Sequence, residues 1–405
     1  DCTCFNSSRI CKLYGVYSRK GSDTKDRPQR ESKILKVPQE VKATPNEYFE
    51  KVASYLPTPE KRDRANYYGV SNFDLDEFLV KHNIQVRSKV ESKDFTKYVL
   101  ENYNPKKIII YSRDEFKQWM MANEFAEYKE KLRFFIGDVR DYERMKRAFQ
   151  GVDYVIHAAA MKQVPACEYN PNEAIKTNVV GAQNVIDASL NTDVKKVVAL
   201  STDKAVNPVN LYGGTKLVSD KLFIAANAYC GDKELNFSIV RYGNVAGSRG
   251  SVIPFFKQLI DEGATELPIT DYRMTRFWIS LTEGVKLVIK ALEEAKGGET
   301  FISKIPSFKI TDLAEAMAPG IKTVETGIRP GEKLHEVMVT AEDSMTTFEY
   351  DKHYIIYPQM FWQDSKRPEP TGKPVEEGFY YSSGNNTEWL SVEQIRELLK
   401  TDLHE

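Results

Sequence analysis

Between Gly69 and Gly137 this chain has no glycine at all. That gap excludes a glycine-rich, phosphate-cradling turn anywhere in the interval. Long apolar stretches are missing too. The longest buried-looking runs, such as Lys195-Lys-Val-Val-Ala-Leu200, are strand-sized, well short of the ~20 residues that span a bilayer. Charge of one sign is not in excess. Fifty-seven Lys and Arg against 58 Asp and Glu give a formal charge of -1, which advertises neither nucleic acid nor a membrane surface. Cysteine is scarce: Cys2, Cys4 and Cys11 crowd the N-terminus, and Cys167 and Cys230 are scattered. A structural zinc site takes about four ligands, and the histidine nearest the N-terminal group is His82, so no metal is expected. An odd, scattered set of thiols suits a reducing cytoplasm. The chain opens on Asp1 and shows no basic-then-apolar leader, so it reads as a fragment or a processed product.

What is present is the composition of a globular protein, 41% apolar and 28% charged over 405 residues. Residues 1–45 mix charges with few large apolar groups and read as a solvated tail; interleaved Asp23, Asp26 and Glu31 argue against a basic nucleic-acid arm. Short amphipathic helices are expected over 46–57 and 74–83, with Leu75, Phe78, Leu79 and His82 on one face of the second. From residue 95 the texture changes. Helices over 95–101, 115–125, 142–149 and 172–188 alternate with the runs 107–111, 133–136, 153–157 and 196–200. Continuous apolar strands alternating with helices predict an α/β protein with a doubly wound, Rossmann-like parallel sheet. Three regions are expected: an atypical segment 1–94, partly disordered; a nucleotide-binding and catalytic domain 95–249; and a smaller substrate lobe with a C-terminal extension, 250–405, ending in a helix over 392–400.

The sharpest constellation is Ser201-Thr-Asp-Lys-Ala-Val-Asn-Pro-Val-Asn-Leu-Tyr-Gly-Gly-Thr-Lys216. It follows a buried strand, where open α/β sheets place their ligands. Tyr212 and Lys216 stand four apart and share a helix face. Tyrosine, with a pKa near 10, is a poor base at neutral pH, and an ammonium one turn away stabilises its phenolate. Such a pair can take the proton of a sugar hydroxyl as hydride leaves for a nicotinamide. Tyr-x-x-x-Lys alone is a weak signal; the Ser-Thr-Asp-Lys at the strand end strengthens it.

With these blocks in view, the sequence resembles the extended short-chain dehydrogenase/reductases. It looks closest to the inverting UDP-N-acetylglucosamine 4,6-dehydratases of the pseudaminic acid pathway. The resemblance covers roughly residues 95–399. It rests on Tyr111-Ser-Arg-Asp-Glu115, Gly137-Asp-Val-Arg-Asp141, His157-Ala-Ala-Ala-Met-Lys-Gln-Val-Pro165, Lys176-Thr-Asn178, the 201–216 block, Arg241-Tyr-Gly-Asn-Val245 and Arg329-Pro-Gly-Glu-Lys333. It implies that Tyr212, with Lys216, deprotonates the C4 hydroxyl. It further implies that Lys204 is the base at C5, with a lowered pKa, and that Asp203 is the acid that expels the C6 hydroxyl. NADP is the implied cofactor. Ser112 and Arg113 would meet the adenosine ribose, an Arg there suiting a 2′-phosphate; Asp138 and Val139 would lie against the adenine. Ala158 and Ala159 would lie beneath the pyrophosphate and nicotinamide. Lys162, Asn244, Arg249, Arg329 and Glu332 are the implied contacts of a UDP-sugar, arginine forks suiting its diphosphate. A cytoplasmic homo-oligomer is expected.

One departure stands out. The family opens with a strand and a glycine-rich turn ahead of the helix at 95–103, whereas this chain reads His82-Asn-Ile-Gln-Val-Arg-Ser-Lys-Val-Glu-Ser-Lys-Asp94 there. Glu91 and Asp94 would repel phosphate, and with only Ile84 and Val86 apolar a first strand is not expected. Two readings follow. Either residues 1–94 are a foreign segment that impairs cofactor binding and leaves a non-catalytic sugar-nucleotide-binding relative, or they form a substitute nucleotide site; nothing in the segment offers phosphate chemistry, which favours the first. An epimerase or reductase of the same superfamily is disfavoured by Asp203-Lys204.

Overall fold

The computed structural model describes residues 83–87, 91–248, 251–360 and 368–402, together with Tyr17–Ser18 and Arg30–Glu31. It falls into two compact units that divide after Val70. In the first, Tyr17–Ser18 and Arg30–Glu31 pair as antiparallel strands. The helices expected over 46–57 and 74–83 lie outside the described residues, apart from Asn83, which begins a strand.

The second unit is built on one sheet of ten strands. In chain order they are β1 (Asn83–Arg87), β2 (Lys107–Ser112), β3 (Leu132–Ile136), β4 (Tyr154–His157), β5 (Lys196–Thr202), β6 (Asn236–Tyr242), β7 (Thr300–Ser303), β8 (Thr347–Glu349), β9 (His353–Ile356) and β10 (Lys373–Pro374). Across the sheet they run β3-β2-β1-β4-β5-β6-β7-β9-β8-β10. The first seven are parallel, and β9, β8 and β10 continue antiparallel.

This corrects the sequence reading of the first strand. Asn83–Arg87 holds the centre, with Ile84 opposite Ile108 on one side and Tyr154 on the other, and Arg87 opposite His157. Backbone pairing to a neighbour on each flank places the segment where its own side-chain pattern is too weak to do so. The sheet also draws β7 to β10 from beyond residue 250.

Strand residues alternate between two apolar layers, as a period of two requires. Ile109, Tyr111, Val155, Val197, Ala199, Phe237 and Ile239 pack into one buried cluster. Their neighbours Ile108, Ile110, Tyr154, Ile156, Val198 and Val240 pack into the other. Helices α1 (Glu91–Asn102) and α6 (Leu281–Glu294) touch each other on one face; α3 (Tyr142–Ala148), α4 (Gly181–Leu190) and α5 (Leu211–Ala226) form a chain of contacts on the other. Helix α2 (Glu115–Glu124) lies on β2 and β3. Several helix starts carry a side-chain cap: Asp114 accepts from Lys117 N, Asp141 from Arg144 N, and Asn210 from Gly213 N. Ser280 and Glu283 form a reciprocal capping box.

The helix expected over 172–188 is interrupted. Pro171–Ile175 is α-helical, Lys176–Val180 forms a wide π turn, and α4 resumes at Gly181. Such turns are rare and concentrate at functional sites. The C-terminal helix spans Val392–Asp402. Among the described residues, no helix is long and apolar enough to cross a membrane.

Candidate active site

The order β3-β2-β1-β4-β5 reverses direction between β1 and β4, and ligands of open α/β sheets bind at the carboxyl ends of strands beside such a switch point. The candidate residues gather there. Strand β5 ends at Thr202, and the next residues, Asp203–Ala205, wind into a single 3-10 turn. Thr202 starts that turn: its Oγ1 accepts from Lys204 N at 3.3 Å and donates to Asp203 Oδ1 at 2.7 Å. Asp203 is fully buried. Lys204 Nζ donates to Asp203 Oδ1 at 3.1 Å, so the pair is no surface ion bridge. The same Nζ lies 3.3 Å from Glu336 Oε1 and 3.5 Å from Asn244 Oδ1.

Helix α5 begins right against this turn. A Cβ on Gly213 would come within 2.1 Å of the Lys204 carbonyl oxygen, so only glycine lets the helix approach so closely. Asn210 caps the helix, and its Nδ2 donates to Gly331 O at 2.8 Å. Tyr212 and Lys216 are both buried on α5, one turn apart. One turn further, Asp220 Oδ2 accepts from Ser201 Oγ at 2.6 Å and lies 3.8 Å from Arg241 Nη2. Burial pushes the Asp220 carboxyl up, against the pull of Lys216 and Arg241. The π turn contributes Asn178. Its Oδ1 accepts from Met161 N at 2.8 Å, and its Nδ2 donates to Met161 O and to Thr215 Oγ1, both at 2.9 Å. One amide thus ties the stretch after β4 to the Tyr212 helix.

The charges at the turn are tightly balanced. Burial raises the Asp203 carboxyl, with Lys204 opposing and Glu336 adding to the rise. Burial pulls the Lys204 ammonium down, but Asp203 and Glu336 outweigh it and hold it above the usual lysine range. The lowered lysine pKa expected from the sequence is therefore not found: Asp203 and Glu336 hold Lys204 in its ammonium form. Burial would raise Glu336 as well, yet Lys204, Arg276 and Lys333 keep it below its ordinary value. Asp203 Oδ2 and Glu336 Oε2 are buried with no hydrogen-bond partner among the described residues. A Cβ on Gly243 would stand 3.7 Å from that Asp203 oxygen.

At the end of β2, where the resemblance implies an adenosine ribose, Ser112 Oγ accepts from Asp114 N at 3.2 Å. Arg113 is exposed and reaches Asp138 Oδ2 at 3.5 Å. Arg140 takes that carboxylate more firmly, through Nε at 3.1 Å and Nη2 at 2.9 Å. These bonds outweigh partial burial and lower the Asp138 pKa. Val139 is buried, its carbonyl accepting from Asn184. Ala158 and Ala159 directly follow β4.

Of the implied sugar-nucleotide contacts, Asn244 reaches Lys204 in the Asp203–Ala205 turn. Arg329 and Glu332 pair with each other at 2.8 Å on an exposed loop, and Lys162 is exposed. Arg249 lies outside the described residues. Asn178 and Lys333 stood in quoted blocks without a role, and sequence reasoning missed Glu336, Arg276 and Asp220. Asp220 alone had a usable signal, since it continues the four-residue spacing of Tyr212 and Lys216.

A parallel sheet of this order, with a Tyr-x-x-x-Lys helix after its fifth strand, is the Rossmann-type fold of the short-chain dehydrogenase/reductases. Within that class the chain belongs to the polysaccharide biosynthesis protein family, whose model matches residues 92–358. A Campylobacter jejuni relative named UDP-N-acetylglucosamine 4,6-dehydratase (inverting) is 57% identical over 327 residues, covering 79% of this chain and 97% of that protein. A Rickettsia akari protein named UDP-glucose 4-epimerase is 43% identical over 308 residues, 73% of this chain and 87% of its own length. Among solved structures, that of Pen from Bacillus thuringiensis superposes with a TM-score of 0.72 at 39% identity, covering 80% of this chain and 99% of the other.

Proposed function

We propose that this protein is a C5-inverting UDP-N-acetylglucosamine 4,6-dehydratase that supplies a 6-deoxy-4-keto sugar nucleotide for surface-glycan synthesis. The observation that carries this is the buried Asp203–Lys204 pair, held against the start of the Tyr212 helix by Gly213. Two opposed proton-handling groups beside a tyrosine–lysine pair are what elimination next to an oxidised carbon needs. The 57% identity to a protein named as such a dehydratase points the same way.

The residues fit a nicotinamide cofactor at both ends. Exposed Arg113 suits a 2′-phosphate, which favours NADP, with Ser112, Asp138 and Val139 beside it. Ala158 and Ala159, directly after β4, are small enough to let the cofactor approach the backbone. A nicotinamide held there would supply a hydride acceptor for C4 and a hydride donor for C6. Tyr212, its phenolate stabilised by Lys216, accepts the C4 hydroxyl proton. The 4-keto group acidifies C5–H, whose proton passes to Lys204 after its ammonium has given a proton to the Asp203 carboxylate 3.1 Å away. Asp203 gives its carboxyl proton to the C6 hydroxyl, which leaves as water. Return of a proton to the opposite face of C5 inverts that centre.

In this reading residues 95–249 hold the cofactor and the catalytic groups, and parts of 250–405 contact the UDP-sugar through Arg329 and Glu332. The cytoplasm, where nucleotide sugars are made, is the compartment it calls for. A homo-oligomer belongs to the proposal as well. Exposed Phe116, Trp119 and Met120 form an apolar stripe on α2 that a second copy would cover. The test is incubation of the purified protein with UDP-N-acetylglucosamine and NADP+, read by mass. Loss of one water supports the proposal; a product of unchanged mass with altered C4 configuration would identify an epimerase instead.

A further inference from the structure

Residues 331–336 meet the Asp203–Ala205 turn and the stretch just after it, 206–210, at three separate points. Gly331 O accepts from Asn210 Nδ2 at 2.8 Å, at the cap of the Tyr212 helix. Lys333 Nζ donates to Val206 O. Glu336 Oε1 lies 3.3 Å from Lys204 Nζ. Glu336 is itself held in place: its N–H donates to Ser383 Oγ at 2.9 Å, and its Oε1 lies 3.7 Å from Arg276 Nε. Arg276 is fixed in turn, donating to Thr275 O at 2.7 Å. Glu336 is 2% exposed, and its Oε2 has no partner among the described residues. A carboxylate buried this deeply is costly unless it is paired, and its cationic neighbours are Lys204, Arg276 and Lys333.

We propose that Glu336 is the positioning residue of the C5 base. It grips Lys204 from the 331–336 segment while Asp203 grips it from the end of β5, so that the base is fixed between two carboxylates carried by distant parts of the chain. The proposal rests on the assignment of Lys204 above and deepens it. The groups facing Lys204 are Asp203, Glu336, Arg276 and Tyr212, with Asn244 as a neutral neighbour and Lys333 beyond Glu336. Glu336 contributes a negative charge to that set, so it keeps the ammonium protonated until ligands displace the balance.

The test has one arm that needs no activity. Lys204 keeps a quarter of its side chain exposed, enough for a small acylating reagent to reach. Competitive labelling with acetic anhydride over a pH series, read by mass on the Lys204 peptide, gives the pH at which Nζ becomes nucleophilic. In the wild type that midpoint should lie above an ordinary lysine's. Glu336→Gln should bring it down by about one pH unit, a tenfold rise in labelling at fixed pH on the flank, while Glu336→Asp should stay near the wild type. A wild-type midpoint at or below that of ordinary lysines would overturn the proposal whether or not either variant folds. So would equal midpoints in wild type and Glu336→Gln. The second arm measures deuterium uptake at C5 of UDP-N-acetylglucosamine. The low-pH limb, where Lys204 must lose its proton, should move to lower pH in Glu336→Gln. A fall in rate with the limb unmoved would mark a purely structural role and overturn the proposal. If the wild type neither exchanges C5 nor loses water, the functional reading fails, and the labelling arm still decides Glu336.

Discussion

Adjacent glycines at the start of α5 should respond to the same substitution with opposite signs. An alanine Cβ at position 213 would stand 2.1 Å from the Lys204 carbonyl oxygen, whereas one at 214 meets nothing within 4 Å. Ordinary contact begins near 3.4 Å, so Gly213→Ala needs a backbone shift of roughly 1.3 Å (3.4 less 2.1) between the helix and the turn. Overpacking against backbone costs about 3 kcal/mol. Better helix propensity returns about 1 kcal/mol, leaving a net loss near 2 kcal/mol. Gly214→Ala keeps only the propensity gain, ~1 kcal/mol of added stability. The functional consequence should be larger than the thermal one, because the shift separates Tyr212 from Lys204. A misplacement of about 1 Å can cost a hundredfold in rate. Urea melts of the two variants give the stability signs, and water loss from UDP-N-acetylglucosamine gives the rate. If Gly213→Ala matched Gly214→Ala in both, the close approach of helix and turn would not be what positions the site.

Three other outcomes follow from the same geometry. On the proposed mechanism Lys204→Ala should stop solvent deuterium entering C5 while C4 oxidation stays possible, and Tyr212→Phe should stop both; wild-type exchange in Lys204→Ala would reject the base assignment. NADP+ should bind at least a hundredfold more weakly than to a relative with an intact glycine turn, since two or three charge-assisted bonds at ~1.5–3 kcal/mol each are missing. Calorimetry on this chain and on one with residues 84–94 replaced by a strand and glycine turn decides it, and micromolar binding by the unaltered chain would show a working substitute. His353, stacked on Tyr350 and Phe301, is driven by burial to a pKa of about 4. The unfolded chain then binds a proton that the folded one refuses, so stability should fall as pH drops from about 6.5 to 4, by at most ~3 kcal/mol. His353→Phe should flatten that slope in urea melts, and an unchanged slope would exclude His353 as its source.

The strands expected over 107–111, 133–136 and 196–200 were legible because their apolar runs are continuous, and the first and last of them are buried along most of their length. Strand β1 was not legible. Asn83, Gln85 and Arg87 break its pattern, and its place comes from pairing to β2 and β4 rather than from its own side chains. The Asp203, Lys204, Tyr212 and Lys216 constellation was legible because it lies within one short stretch. Glu336 was not, since it reaches the turn from far downstream, as Lys333 does across 127 positions to Val206, and no local spacing records such a meeting. The expected lysine pKa failed because two carboxylates outweigh burial, Asp203 next to it in the chain first and Glu336 far downstream second.

The π turn at Lys176–Val180 restricts how the chain can vary in length. It places Asn178 between Met161 and Thr215 while delivering Gly181 to Val139, where a Cβ would come within 2.8 Å of Val139 Cγ2. Deleting one residue would restore an ordinary helix but turn everything after it by about 100°. Either Asn178 would leave its two partners or a residue with a side chain would replace Gly181 against Val139. The exposed side chains of this turn, Lys176 and Val180, can be exchanged one at a time, but its residue count cannot, and chains that share the site should align across 171–190 without a gap.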